Sequence, residues 1–294
     1  MRRTALAVML ALVTATHAAA ADPFYREDLR IPYAAAGPRG LEAMLIRPSG
    51  TRRYPLALLS HGAPRDAAAR PGMTPSDLYV QAVELARRGF SALVVMRRSY
   101  GTSGGDYAEN SGPCARRNYM IGANASATDL RAAIDAMNRR ADVTTQGMIA
   151  AGTSAGGFAS IALSADPPPG LAAVINFAGG RGSRADHNVC DEAALVRAFA
   201  TMGKTSRIPM LWVYAGNDKF FGPDLARRMH AAFTAAGGRA QFIAAPAFGR
   251  DGHGLFSATG APVWTPLLDG FLREKNLGSR DLIAAPAAAA PAPR

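Results

Sequence analysis

No apolar run in this chain is long enough to cross a bilayer, which takes about 20 residues. The stretch Ala5 to Val13 falls short, and no later stretch is both long and free of charge. That excludes integral membrane association. Nowhere do histidines, cysteines and carboxylates cluster at metal-ligand spacing, so no metal or other cofactor is implied. Basic runs are also missing. The formal charge is +11, yet the arginines are scattered in ones and twos (Arg52-Arg53, Arg97-Arg98, Arg139-Arg140) with no interleaved aromatics. A solvated, arginine-biased surface accounts for this better than a nucleic-acid site. No internal repeat appears. Cysteine is scarce, with Cys114 and Cys190 alone.

The beginning of the chain has a purpose of its own. Met1-Arg2-Arg3 is followed by the apolar run and then by Ala18 to Ala21, the layout of a secretory signal with a small-residue cleavage site. Residues 1–21 are therefore expected to be removed, which places the mature protein in the periplasm or outside the cell. In such a compartment an even cysteine count favours a disulfide, the alternative being two buried free thiols. Residues 22–278 fit one domain with a substantial core. The stretch 279–294 is Ala/Pro low complexity and is expected to be a disordered tail.

Short apolar runs bounded by Gly, Pro or charge predict strands at Leu41–Ile46, Leu56–Leu59, Ser91–Met96, Met148–Ala151, Ala172–Phe177, Met210–Tyr214 and Ala240–Ala244. Helical patterns lie between most of them: Asp77–Arg88, Ala123–Asn138, Ala155–Ala165, Glu192–Met202, Pro223–Ala236 and, last, Val263–Glu274. Alternation of this kind predicts an α/β domain, a mostly parallel sheet covered on both faces.

Gly152-Thr153-Ser154-Ala155-Gly156 falls between a predicted strand and a predicted helix. A serine in G-x-S-x-G at a strand-to-helix turn has its hydroxyl pushed out at the strand end, where a nucleophile is useful; the plainer reading is a Gly/Ser-rich turn. A serine hydroxyl needs a base, and the base needs an orienting acid. Downstream, Asp218 follows the strand Met210–Tyr214, and His253 lies in the glycine-flanked loop Gly249 to Gly254. Asp224 is the rival acid, although its place after Pro223 at a helix start gives it a structural reason to be there. His61-Gly62-Ala63 ends the early strand; Ala63 is the candidate for one oxyanion-binding N–H and Ala155 for the other, unless His-Gly is merely a turn. The glycines at 101–105 lack the lysine of a phosphate-binding loop.

Taken in order, strand-His61-Gly62, Arg97 to Gly105, Gly152 to Gly157, Leu211 to Asp218 and Asp251-Gly252-His253 resemble the α/β-hydrolase superfamily. The branch they most resemble is that of dienelactone hydrolases and prolyl oligopeptidases, over roughly residues 40 to 275. The resemblance implies the α/β-hydrolase fold and a Ser-His-Asp hydrolase working through an acyl-enzyme, with Ser154 as nucleophile, His253 as base and Asp218 as acid. Dienelactone hydrolases proper carry cysteine where Ser154 stands, so their substrate is not carried over. Nor is there room for the propeller of prolyl oligopeptidases. The segment Ala178 to Arg207 reads as a short insertion over the active site, and a Cys114–Cys190 bridge would brace its rim; Tyr100, Tyr107, Phe220 and Phe221 are candidate pocket residues. The expected substrate is a small carboxylic ester. A short peptide or amide is the alternative, and a catalytically silent binding module is the reading from another class. The sequence leaves the oligomeric state open.

Overall fold

The structure is a computed structural model that describes residues 23–279. The expected signal lies outside the described residues. So does the tail apart from Ser279, whose N–H donates to the Arg88 carbonyl at 2.9 Å. In chain order the elements are β1 (Phe24–Ile31), β2 (Leu41–Pro48), β3 (Tyr54–Ser60), α1 (Tyr79–Arg87), β4 (Ser91–Val95), α2 (Tyr119–Asn138), β5 (Val143–Thr153), α3 (Ala155–Ala165), β6 (Leu171–Phe177), β7 (Ser183–Ala185), β8 (Asn188–Val189), α4 (Glu192–Gly203), β9 (Met210–Ala215), α5 (Pro223–Ala235), β10 (Ala240–Ala245) and α6 (Ala261–Glu274).

Eight strands form one sheet in the order β1-β2-β4-β3-β5-β6-β9-β10. β1 pairs antiparallel with β2, and β2 with β4. From β4 to β10 all pairings are parallel. The strand residues alternate between two cores, as a pleat covered on both faces requires. Leu56, Leu58, Ala150, Met210 and Trp212 face α2 to α5, packing on Leu130, Phe158, Phe199 and Phe233. Ala57, Leu59, Ile149, Leu211 and Val213 face α1 and α6, against Leu85, Trp264 and Leu268. Each fully buried leucine or phenylalanine contributes roughly 2 kcal/mol of transfer free energy.

Two departures from the sequence reading have simple causes. β1 was not expected, because its residues carry Arg26, Glu27, Asp28 and Arg30. As an edge strand it keeps those charges in solvent, Arg26 pairing with Asp28 and Glu27 with Arg140. α2 starts at Tyr119 rather than Ala123, because the Asn118 side chain accepts the Met120 N–H and caps the helix there. Parallel pairing matters most for function. It brings the carboxyl ends of β3, β4, β5, β6, β9 and β10 to one edge of the sheet, with the loops that follow them.

Candidate active site

Ser154 stands between β5 and α3 with φ 55° and ψ −124°, a backbone that side-chain-bearing residues rarely adopt. Its N–H donates to the Phe177 carbonyl, and its own carbonyl accepts from Phe158 and Gly180, so both neighbours lock the turn. The flanking glycines are steric requirements. A Cβ at Gly156 would lie 1.9 Å from the Ser60 carbonyl oxygen, and one at Gly152 would lie 2.4 Å from the Gly156 backbone. The turn can press against β3 only without those side chains.

His253 Nδ1 donates to Asp218 Oδ2 at 3.1 Å, leaving Nε2 as the ring's free base. Asp218 is fully buried. Its other oxygen, Oδ1, accepts the N–H groups of Phe220 (2.7 Å) and Phe221 (3.0 Å), which aims Oδ2 at the ring. The rival, Asp224, points into solvent with its side chain 92% exposed, ion-paired to Arg227. Two groups hold the imidazole, Asp251, to which the sequence assigned no role, and Phe220, which it offered only as a pocket residue. Asp251 Oδ1 accepts both the His253 N–H and the Lys219 N–H, each at 3.0 Å, and so ties the histidine loop to the aspartate loop. Phe220 stacks on the ring at 3.8 Å, and the Arg65 guanidinium covers the other face of this pile, 3.6 Å from the Phe220 centroid.

The turn after β3 is fixed from beneath. His61 is buried, its Nδ1 donating to the Gly62 carbonyl and its Nε2 accepting the Arg97 N–H. Burial, reinforced by the Arg97 charge, holds its pKa well below the ordinary histidine value. His61 is thus a neutral strut. Arg97 also donates from Nη1 to Ser60 Oγ and to the His61 carbonyl. Its Nε pairs with Glu109, which binds Arg181, Ser126 and Tyr100 as well. Burial alone would raise the Glu109 carboxyl; Arg181 and Arg97 outweigh it and hold the group ionised. No sequence pattern marks Glu109, which is a lone glutamate in a loop. Among the described residues, neither the Ala63 nor the Ala155 N–H donates to a protein acceptor.

Ser154 and Ala63 line two adjoining cavities. The first, about 360 Å³, also has Ala155, Tyr100, Tyr107, Phe220 and Phe221 in its wall. The second, about 490 Å³, contains His253 with Leu78, Tyr79, Val80 and Phe256. Only the first part of the expected insertion overhangs the site. Arg181 to Ser183, leading into the β7–β8 hairpin, form the rim, whereas α4 packs with α3 and α5 as an ordinary crossover helix. A disulfide joins Cys114 to Cys190, and the Tyr119 hydroxyl donates to the Cys190 carbonyl, so the rim is fastened to the start of α2. Among the described residues no three metal-ligating side chains converge.

The model of one family, X-Pro dipeptidyl-peptidase (S15 family), matches residues 37–208, more than half of the chain and the part that carries both the His-Gly turn and the serine elbow. The chain belongs to that S15 family. Solved structures agree on the fold. A Klebsiella pneumoniae protein assigned as a dienelactone hydrolase superposes with a TM-score of 0.58 at 15% identity, covering 86% of this chain and 100% of its own. Esterase 2 of Thermogutta terrifontis with butyrate bound gives 0.57 at 18%, covering 86% and 95%. The acylaminoacyl peptidase of Pyrococcus horikoshii gives 0.59 at 13%, covering 88% of this chain and 42% of the peptidase. No curated protein matches. This S15 member is therefore a serine hydrolase with the α/β-hydrolase fold. Its family match ends at residue 208, before Asp218 and His253.

Proposed function

We propose that this S15-family chain is an exported hydrolase that cleaves carboxylic esters through an acyl-enzyme. Ser154 is the nucleophile, His253 the base, Asp218 the orienting acid, and the Ala63 and Ala155 N–H groups bind the oxyanion. The observation that carries this is the Asp218–His253 hydrogen bond at 3.1 Å, in a cavity that His253 shares with a serine held on a strained turn. With Nδ1–H committed to Asp218, Nε2 takes the Ser154 proton as Oγ attacks the carbonyl carbon. The negative charge that develops on the carbonyl oxygen lies before two N–H groups with no competing protein acceptor. His253 then gives its proton to the departing alcohol; water, deprotonated by the same nitrogen, attacks the acyl carbon and releases the acid. Export is supported by the disulfide, which persists in oxidising compartments.

The family match favours a second reading, cleavage of a short peptide. An aminopeptidase-type site needs a free carboxylate for the substrate ammonium. Glu109, the acid in the first cavity, has both oxygens taken by Arg97, Ser126, Tyr100 and Arg181, which weighs toward the ester. The test is fluorophosphonate labelling of the purified mature protein, followed by 4-nitrophenyl esters of increasing chain length against aminoacyl-prolyl anilides. Ser154→Ala should remove labelling and cost on the order of 10⁴-fold or more in turnover. Asp218→Asn should also be severe and Asp224→Asn neutral. Preferred turnover of the anilides would establish the peptidase; neither labelling nor turnover would leave a binding module.

A further inference from the structure

The two cavities beside Ser154 differ in charge, and the difference specifies a substrate. The second, which holds His253, is walled by Leu78, Tyr79, Val80 and Phe256, and its two charged side chains besides the histidine, Asp77 and the Arg65 it shares with the first cavity, are of opposite sign. The first is lined by four arginines, Arg65, Arg70, Arg117 and Arg181, and by one carboxylate, Glu109. Arg65 is paired to Asp186 at 3.0 Å, and Arg181 to Glu109. Glu109 also serves the buried Arg97, so one carboxylate answers two guanidiniums. Arg70 lies over the Tyr107 ring at 3.7 Å, and neither it nor Arg117 has a carboxylate partner among the described residues. Arg117 gives its backbone N–H to Asp191 at the outer edge, and one of its terminal nitrogens lies 3.9 Å from Cys190 Sγ. Among the described residues, the Nε atoms of Arg117 and of the buried Arg181 have no hydrogen-bond partner. Buried donors without acceptors are uncommon and costly. Both arginines line a cavity whose positive charge exceeds its negative.

Which part of the substrate enters follows from the proton transfers. The histidine must reach the leaving group, so the leaving group lies on the His253 side; of the two N–H groups assigned to the oxyanion, that of Ala63 belongs to a residue lining both cavities and that of Ala155 to one lining only the first, which leaves the first cavity for the acyl portion. We infer that the acyl portion of the substrate carries an anion, a carboxylate held by Arg70 and Arg117, and that the departing alcohol is apolar. The substrate class is thus the monoester of a dicarboxylic acid. This rests on the serine-hydrolase reading above. Guanidinium forks suit a carboxylate because two parallel N–H groups meet its two oxygens, and the negative oxygens of Glu109, fully engaged, do not face the incoming charge.

Mono-4-nitrophenyl glutarate and its uncharged isostere, 4-nitrophenyl 5-methylhexanoate, in which two methyl groups replace the carboxylate oxygens, share a leaving group and an acyl shape, so their kcat/KM ratio in the wild-type protein reads the pocket directly. At low salt the charged ester should be favoured about tenfold or more, the size of one hydrogen bond to a charged group, and the ratio should shrink as salt is raised. Arg70→Gln and Arg117→Gln should each lower the ratio, and the pair together should bring it near one. Arg52→Gln, at the opposite end of β3, should not change it. A ratio of one or below in the wild type, with fluorophosphonate labelling intact, overturns the anionic-acyl assignment alone. Loss of labelling together with no turnover of either ester overturns the hydrolase reading, and this inference with it.

Discussion

At Ser154 the chain holds a non-glycine residue at φ 55°, a conformation that costs roughly 1–3 kcal/mol and persists because its neighbours over-determine it. The expense has a chemical return, since the turn presents the hydroxyl away from the strand, toward both cavities. Ser154→Gly separates the two effects. Glycine adopts this backbone without steric strain, so the variant should lose ester turnover completely while its urea midpoint stays at or above that of the wild type. A midpoint well below wild type would show that the serine side chain stabilises the turn. The two candidate acids differ at the same scale in their surroundings rather than in residue type. Asp218 is buried with two backbone N–H groups on one oxygen and an imidazole on the other, whereas Asp224 at a helix start has water and Arg227. The sequence offered both. Burial chose.

Among the elements, the loop between β4 and α2 and the hairpin β7–β8 are short of regular hydrogen bonds and depend on cross-links. Cys114 and Cys190 are separated by 76 positions, and closing a loop of that size removes roughly 4 kcal/mol of chain entropy from the unfolded state. The same bond sets the arginine-lined rim, with Arg117 three residues after one cysteine and Arg181 shortly before the other. Mild reduction should therefore lower the melting temperature by several degrees. It should also raise KM more than it lowers kcat for esters whose acyl group occupies the first cavity. Equal melting curves with and without reductant, on protein whose thiols have been titrated, would show that the bridge does not stabilise the fold.

For the molecule as a whole, the buried polar groups behind the active site should give a pH-dependent stability. Glu109 is held below its ordinary carboxyl value in the folded state, so it releases its proton more readily folded than unfolded. Its contribution is present above the unfolded value and is lost as pH falls through the folded one. His61 acts in the same direction. Its folded pKa is depressed, so below about 6.5 the unfolded chain binds a proton that the folded chain refuses, and stability drops with acidification. Asp129 opposes them, since burial raises its pKa against the pull of Arg98; it favours the folded state most at low pH. Asp142 and Asp186 are likewise held low, by hydrogen bonds to Arg140 and to Arg65, so acid is the weak side. Urea unfolding at about pH 7.5 and about pH 5 should show lower stability at the acid end, with His61→Gln flattening the part of the slope nearest neutrality. A slope unaltered by that substitution would mean that His61 is not its source.

Read alone, the sequence determined the things that depend on order along the chain: the alternation of apolar runs and helical patterns, the glycine-framed serine between a strand and a helix, and the later order of a candidate acid and a candidate histidine. Each is a property of neighbours along the chain, and each is enough to place α/β architecture and the Ser154 elbow. Pairing across the sheet decided the rest. Edge strand β1 was hidden because its charges face water. Asp251, Phe220 and Arg65 acquire their part only when three loops meet around His253. The Arg97–Glu109–Arg181 cluster is the clearest case, since three charges spread over more than eighty residues say nothing in sequence. They become a site only when parallel strands deliver their loops to one edge and burial leaves the charges to answer one another.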